Sequence, residues 1–260
     1  MTMKHLEKLP LLAVFGVTLC AGCTSPAAEA PKSDPASVPT IAPVETAAEP
    51  TKAAPTAPPA NKSPYKVTNP ADLEAMGAPP AMIAAAKKSQ VPPPPMVAVP
   101  NTATVELKTT KGVITVELNG KAAPLHVRSF LYLSGRKFYD GTVFHRHADL
   151  SGDGKGFIIQ GGDPNSKDPK TSEFAGQGGP GYEVPLEANN GLKHEKLVIA
   201  AARSQDPDSA GSQFYITQGA VPFLDGNYTV FGKVIAGKDA ALKLTQGDKL
   251  ISAKVLKAKK

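Results

Sequence analysis

The C-terminal 160 residues predict a mainly β domain, a closed antiparallel barrel with two helices over its open ends. The residues before them predict a disordered N-terminal tether. Three observations carry this. First, 18 of the 26 prolines lie between Pro26 and Pro100, whereas every aromatic residue except Phe15 and Tyr65 follows Pro100, so a sizeable core can form only after that point. Second, apolar residues after Pro100 recur in short runs of period two, separated by Gly-rich turns. Third, two stretches in that part carry helical start and stop signals.

The elements follow in order. Val105 and Leu107 alternate with polar neighbours, Thr110-Lys111-Gly112 turns the chain, and Ile114, Val116 and Leu118 alternate again. That is a hairpin with one buried face. A helix is expected over 124–134, with Pro124 at its start, Val127, Phe130 and Leu131 as its apolar spacing, and Gly135 just past its end. Short strands are expected at 142–146, 157–160, 198–201, 213–217 and 230–234. A second short helix around 239–245 stops at Gly247, and a last alternating strand carries Ile251, Ala253 and Val255. Ahead of the domain, 70–76 and 81–88 have the composition of short helices, with Gly77 ending the first. Pro92 to Pro95 breaks any continuation. Residues 23–100 therefore read as a Pro/Ala-rich linker with short helices, and 101–260 as the folded domain.

Residues 1–22 have the order of a secretory signal. Lys4 and Lys8 precede an apolar run at 11–19, and small residues lead to Cys23. The run is shorter than the roughly 20 residues of a membrane-spanning helix. Cys20-Ala21-Gly22-Cys23 resembles a bacterial lipobox, in which the last Cys is lipidated and becomes the mature N-terminus. One departure is that Leu19 stands four residues before Cys23, where the pattern usually has Leu three before. The resemblance implies a lipid on Cys23 and a domain held at a membrane of the bacterial cell envelope, outside the cytoplasm. Cleavage by an ordinary signal peptidase, giving a soluble exported protein, is the alternative. From Thr24 to about Pro64 the prolines favour extended, semi-rigid chain.

Net charge is +6, and from Asn101 onward 21 Lys+Arg face 16 Asp+Glu. The lysines are scattered, without the basic stripe interleaved with aromatics that nucleic-acid binding needs. A mildly basic surface equally suits anionic lipid headgroups. Both cysteines, Cys20 and Cys23, precede the domain, which therefore holds no disulfide and no thiolate nucleophile.

Five blocks carry the chemistry. They are Phe138-Tyr139-Asp140-Gly141-Thr142-Val143-Phe144-His145-Arg146, Gly156-Phe157-Ile158-Ile159-Gln160-Gly161-Gly162-Asp163-Pro164, Gly178-Gly179-Pro180-Gly181-Tyr182, Gly211-Ser212-Gln213-Phe214-Tyr215-Ile216, and Phe223-Leu224-Asp225-Gly226 leading to Val230-Phe231-Gly232-Lys233. In this order they resemble the cyclophilin-type peptidyl-prolyl cis/trans isomerases over essentially all of 103–257. The resemblance implies a closed eight-stranded barrel with two capping helices and isomerase activity on Pro-containing polypeptides. It implies no metal and no organic cofactor, and the chain is taken as a monomer.

The chemistry asks for little more. An X–Pro amide resists rotation by about 18–20 kcal/mol because the nitrogen lone pair is delocalised into the carbonyl. A catalyst must favour the twisted state, in which that lone pair is exposed, and a fixed donor aimed at it binds this state better than the planar one. A guanidinium stays charged and holds its donors in a rigid fork. The resemblance assigns this role to Arg146 and substrate-backbone hydrogen bonding to Gln160. It assigns the proline pocket and its rim to Phe157, Ile158, Ala201, Tyr215, Phe223, Leu224 and Tyr228. Phe214, adjacent to Tyr215 on one strand, points the other way and is expected in the core.

The chain departs from the family at several places. Phe223 stands where many members have Trp, Ala201 where they have Met, Tyr228 where they often have His, and Tyr215 where they have Phe. Phe223 lacks the indole N–H that bonds the inhibitor cyclosporin, so weaker inhibition is expected. Between Arg146 and Gly156 the chain carries an insertion. Its Asp149-x-Ser151-x-Asp153-Gly154 run imitates the first half of a calcium loop, but Gln160 stands where the bidentate Glu belongs. The insertion is expected to be a flexible Gly-rich loop. His145 and His147 share a strand face without an evident third metal ligand. A non-catalytic module that binds Pro-containing segments is the competing functional class.

Overall fold

The computed structural model describes residues 63–259. The signal segment 1–22, Cys23 and the tether 24–62 lie outside the described residues. The elements are β1 (Lys66–Val67), α1 (Pro70–Ala75), α2 (Pro80–Ser89), β2 (Thr102–Thr109), β3 (Gly112–Asn119), α3 (Pro124–Gly135), β4 (Thr142–Val143) and β5 (Arg146–Asp149). They continue with β6 (Phe157–Gly161), β7 (Tyr182–Glu183), β8 (Val198–Ala201), β9 (Phe214–Thr217), β10 (Val230–Ala236), α4 (Lys238–Lys243) and β11 (Lys249–Lys259).

The expected closed eight-stranded barrel is corrected. The sheet is an antiparallel, curled half-barrel of nine strands, open between its edges, in the order β4-β11-β2-β3-β10-β8-β9-β6-β5. The single strand expected at 142–146 is two. Thr142 and Val143 pair with Leu250 and Lys249 at one edge, and Arg146 opens β5, which pairs with β6 at the other. Only Phe144 and His145 separate them, so the chain crosses from edge to edge where a ladder would have closed the barrel. Phe144 is buried in that crossing. It fits because Gly161 lacks a side chain: a Cβ there would come within 2.8 Å of the Phe144 ring.

The first hairpin forms as expected. Val105 and Leu107 on β2 pair with Val116 and Ile114 on β3, and all four are fully buried. α3 begins at Pro124 and buries Val127, Phe130 and Leu133; Leu133, not Leu131, completes its core stripe. Its N-terminus is held by Glu187, whose carboxylate accepts from the backbone N–H groups of Leu125 and His126, both at 3.0 Å. On β11 the alternation is shifted by irregularities between Leu250 and Ser252 and between Val255 and Lys257. Leu250 and Ala253 therefore face the core, while Ile251 is exposed.

The stretch 63–100 lies along the domain. Tyr65 is 4% exposed, packs edge-on against Tyr182, and donates from its hydroxyl to the carbonyl oxygen of Leu125 at 3.0 Å. β1 pairs with β7, Thr68 N–H donates to Gly181 O at 3.0 Å, and Val91 N–H donates to Pro180 O at 2.8 Å. α1 is capped by Asn69, whose side chain accepts from Ala71 N–H. No helix among the described residues is long and apolar enough to cross a membrane.

Candidate active site

Strands β5, β6, β9 and β8 run side by side, and their register sorts the side chains onto two faces. Arg146 pairs with Gln160, Gln160 with Tyr215, and Tyr215 with Ala200, so these four share the outward face. The opposite face carries Ile159, Ile216 and Ile199, with Phe214 opposite Ala201, and belongs to the main core.

The polar half of the outward face is one hydrogen-bonded chain. Arg146 Nη1 donates to Gln160 Oε1 at 3.3 Å, and Gln160 Nε2 donates to Gln213 Oε1 at 2.9 Å. Gln213 Nε2 in turn donates to Gly178 O at 2.8 Å and to Asp163 Oδ2 at 3.3 Å. Asp163 is fully buried and accepts from the backbone N–H groups of Asn165, Gly176 and Gly178. A buried carboxylate so supplied with donors fixes the loop against which Gln213 rests. Arg146 is exposed, and its other guanidinium nitrogens have no hydrogen-bond partner among the described residues.

The apolar half is a second, smaller cluster of Ile158, Val198, Ala200, Tyr215, Val221 and Val230, with Leu224, Tyr228 and Ala202 packed against it. Tyr215 forms part of it through an unusual anchor. His194 Nε2 lies 2.9 Å from the Tyr215 hydroxyl, and His194 Nδ1 lies 2.8 Å from Asp225 Oδ1. A carboxylate can only accept, so Nδ1 carries the proton and Nε2 accepts from the hydroxyl. Burial lowers the pKa of His194 against the opposing pull of Asp225. Burial likewise pushes the Tyr215 hydroxyl well up. Burial alone would raise Asp225, but the backbone and ring N–H groups of His194 hold its carboxyl below the usual range. All three groups are thus held in one protonation state near neutrality.

Of the residues expected at the site, the structure brings together Arg146 and Gln160 on one side and Ile158, Tyr215, Leu224 and Tyr228 on the other. Three are placed differently. Phe157 leaves the cluster and packs on the His147 ring at 5.0 Å between centroids. Ala201 faces the main core beside Phe214, because strand alternation gives the outward positions to Ala200 and Ala202. Phe223 belongs to neither cluster and is 52% exposed on the turn Pro222–Leu224. Gln213, missing from the sequence-derived set, was within reach of the same alternation, two residues before Tyr215. The pairing of His194 with Asp225, 31 residues apart, had no local signal. The insertion is the tip of the β5–β6 hairpin. Asp149 pairs with Phe157 in the ladder, and its carboxylate accepts from the loop's own Ser151 and Gly154 N–H groups.

Residues 104–259 match the family model described as cyclophilin type peptidyl-prolyl cis-trans isomerase/CLD. A peptidyl-prolyl cis-trans isomerase of Dictyostelium discoideum is 39% identical over 163 residues, covering 60% of this chain and 96% of that relative. A protein of Synechocystis sp., named for a thylakoid lumen peptidyl-prolyl cis-trans isomerase, is 35% identical over 184 residues; the match spans 59% of this chain and 47%, about half, of that longer relative. A solved cyclophilin-type isomerase of Cryptosporidium parvum superposes with a TM-score of 0.52 at 28% identity, covering 60% of this chain and 98% of that one. With the matched segment making up more than half of its length, the chain belongs to the cyclophilin-type peptidyl-prolyl cis-trans isomerases and is an isomerase.

Proposed function

We propose that this chain rotates X–Pro bonds in polypeptides folding outside the cytoplasm, as a monomer held at a bacterial membrane by a lipid on Cys23. The observation that carries the catalytic part is the Arg146–Gln160 pair, lying across one strand pair beside the apolar cluster around Tyr215. A proline ring seated on Ile158, Tyr215 and Leu224 brings its amide toward the guanidinium. Gln160, braced by Gln213, offers a fixed hydrogen bond to the neighbouring substrate backbone. As the bond twists, the prolyl nitrogen becomes pyramidal and its lone pair accepts from Arg146. That interaction is stronger in the twisted state than in the planar one, which lowers the barrier with no covalent step. Support for Pro-containing substrates comes from the Cryptosporidium parvum isomerase, whose structure was also solved in the presence of the dipeptide Ala-Pro. Support for an extracytoplasmic site comes from the lumen-named Synechocystis relative and from the signal-like residues 1–22.

A protease-coupled assay on a Pro-containing tetrapeptide tests the catalytic part. The wild-type chain should exceed the spontaneous rate without added metal, and Arg146→Ala should lower kcat/KM by about 10²–10³-fold, the scale of one lost electrostatic donor. A wild-type chain giving only the spontaneous rate would turn the assignment to a binding module. For the anchor, Cys23→Ser should move the protein from the detergent phase to the aqueous phase. Equal partitioning of the two forms would remove the lipid.

A further inference from the structure

The outward face does not end at Gln160. A groove enclosing about 690 Å³ runs from Gln160 and Gln213, past Gly178 to Gly181, to the helices α1 and α2. Its far wall comes from residues 66–90, which lie ahead of the matched family segment 104–259. We infer that this groove receives the substrate residues flanking the isomerised proline, so that α1 and α2 select polypeptides carrying apolar side chains near that proline. The inference rests on the isomerase site proposed above.

Four features lead there. The groove is continuous with the catalytic pair, since Gln160 contributes to both. A polypeptide crossing Arg146 and Gln160 continues in both directions, and this is the walled depression it meets. Second, α1 and α2 bury no residue among the described ones, which is unusual for helices docked on a domain. Their place is fixed instead from their flanks. Ser89 Oγ donates to Gly179 O at 3.2 Å, Gln90 Nε2 donates to Thr68 O at 2.9 Å, and the N–H groups of Thr68 and Val91 bond the 180–181 turn.

Third, several apolar side chains of these helices and of the cap that ends α1 border the groove. Leu73, Met76, Met82 and Ala86 line it, with Met76 82% exposed. Flexible, polarisable Met side chains suit a surface that must accept varied apolar partners. Fourth, the floor is backbone-rich and close-fitting: a Cβ on Gly181 would come within 2.6 Å of the Gln90 side chain, so the glycine lets the helical segment sit close against the turn. The enclosed volume falls within the about 300–1,000 Å³ typical of ligand pockets.

The test compares two substrates on the full chain: a Pro-containing tetrapeptide, and a ten-residue peptide with the same central X–Pro and Leu or Phe on both sides. Wild type should show a lower KM for the long peptide by about tenfold, the equivalent of one well-buried apolar side chain. Ala86→Trp, which fills the groove, and Met76→Asp, on a side chain too exposed for folding to depend on it, should each remove most of that advantage. The tetrapeptide rate is the internal reference. No wild-type acceleration of either peptide would sink the isomerase assignment itself. Normal tetrapeptide turnover with an unchanged long-peptide advantage in both variants would overturn the groove alone. Variants that speed up both peptides would also overturn it, pointing to the chain's own Pro-rich residues 24–62 as the occupant.

Discussion

Neighbouring residues of β9 lead opposite lives. Phe214 meets Phe130, Tyr139 and Phe144 edge-on at ring separations of 5.5–6.3 Å inside the main hydrophobic core. Tyr215, one residue on, is as deeply buried, yet it carries a hydroxyl held by His194 and faces small residues, Ala200 and Ala202. The same contrast holds on β6, where Ile159 is fully buried in the core and Gln160 is tied into the Arg146–Gln213 chain. The inner face is specified by volume, the outer face by hydrogen bonds placed end to end around open space. Alternation on shared strands thus couples a rigid scaffold directly to a surface that must present donors in fixed positions.

The sharpest way to break this division is to truncate one member of each face. Phe214→Ala should cost about 3–5 kcal/mol of stability, the scale for emptying a buried aromatic site. Arg146→Ala, on an exposed side chain, should stay within about 0.5 kcal/mol of wild type in denaturant unfolding while losing most turnover. If Arg146→Ala were destabilised like Phe214→Ala, the guanidinium would be a structural element and the two faces would not be separable.

Tyr215 lies between these extremes, because it is buried and polar together. Tyr215→Phe keeps the ring but leaves the buried His194 Nε2 without its donor, and should cost about 1–3 kcal/mol. The same pair sets a pH dependence. The folded pKa of His194 is lowered, first by burial. Above about 6.5, the ordinary imidazole value, the ring is neutral in both folded and unfolded chains and its contribution is complete. As pH falls below that value the unfolded chain takes up a proton that the folded chain does not, so stability declines until the lower folded value is passed. Urea midpoints at pH 7.5 and 5.5 should therefore differ more in wild type than in His194→Gln. Equal differences would show that this ring does not titrate with folding.

Much of the fold was legible because local chemistry and tertiary context agree. The β2–β3 hairpin and α3 follow from period-two runs, Pro124 and Gly135. What failed did so where one residue shifts the period. The irregularity after Leu250 rotates β11, so Ile251 is outside and Leu250 inside. Ala201 falls on the inner face for the same reason of parity, one residue from the outward Ala200 and Ala202. Closure of the barrel could not be read from strand patterns, since it depends on Phe144 and His145 crossing between edges. The docking of Tyr65 lay in a Pro-rich context whose composition argued against any core. Arg146 and Gln160 stand in blocks visible in the sequence and meet across β5 and β6, whereas His194 and Asp225 meet only through the fold.

The smallest expected effect lies at the rim, where the outward face leaves the strands. Phe223 sits on the turn Pro222–Leu224, half exposed and packed into neither cluster, so replacing it should leave stability within about 0.5 kcal/mol of wild type. Trp at this position would restore the indole N–H that many cyclophilins present to cyclosporin. One neutral hydrogen bond contributes about 0.5–1.5 kcal/mol, so Phe223→Trp should tighten inhibition by roughly three- to tenfold. Turnover of a short peptide should change less, because the proposed seat of the proline ring is Ile158, Tyr215 and Leu224 rather than this exposed ring. Inhibitor titration of both forms in one peptide assay decides it. Unchanged inhibition would place position 223 outside the inhibitor's reach, and a destabilised variant would show that the rim is packed as tightly as the strands it borders.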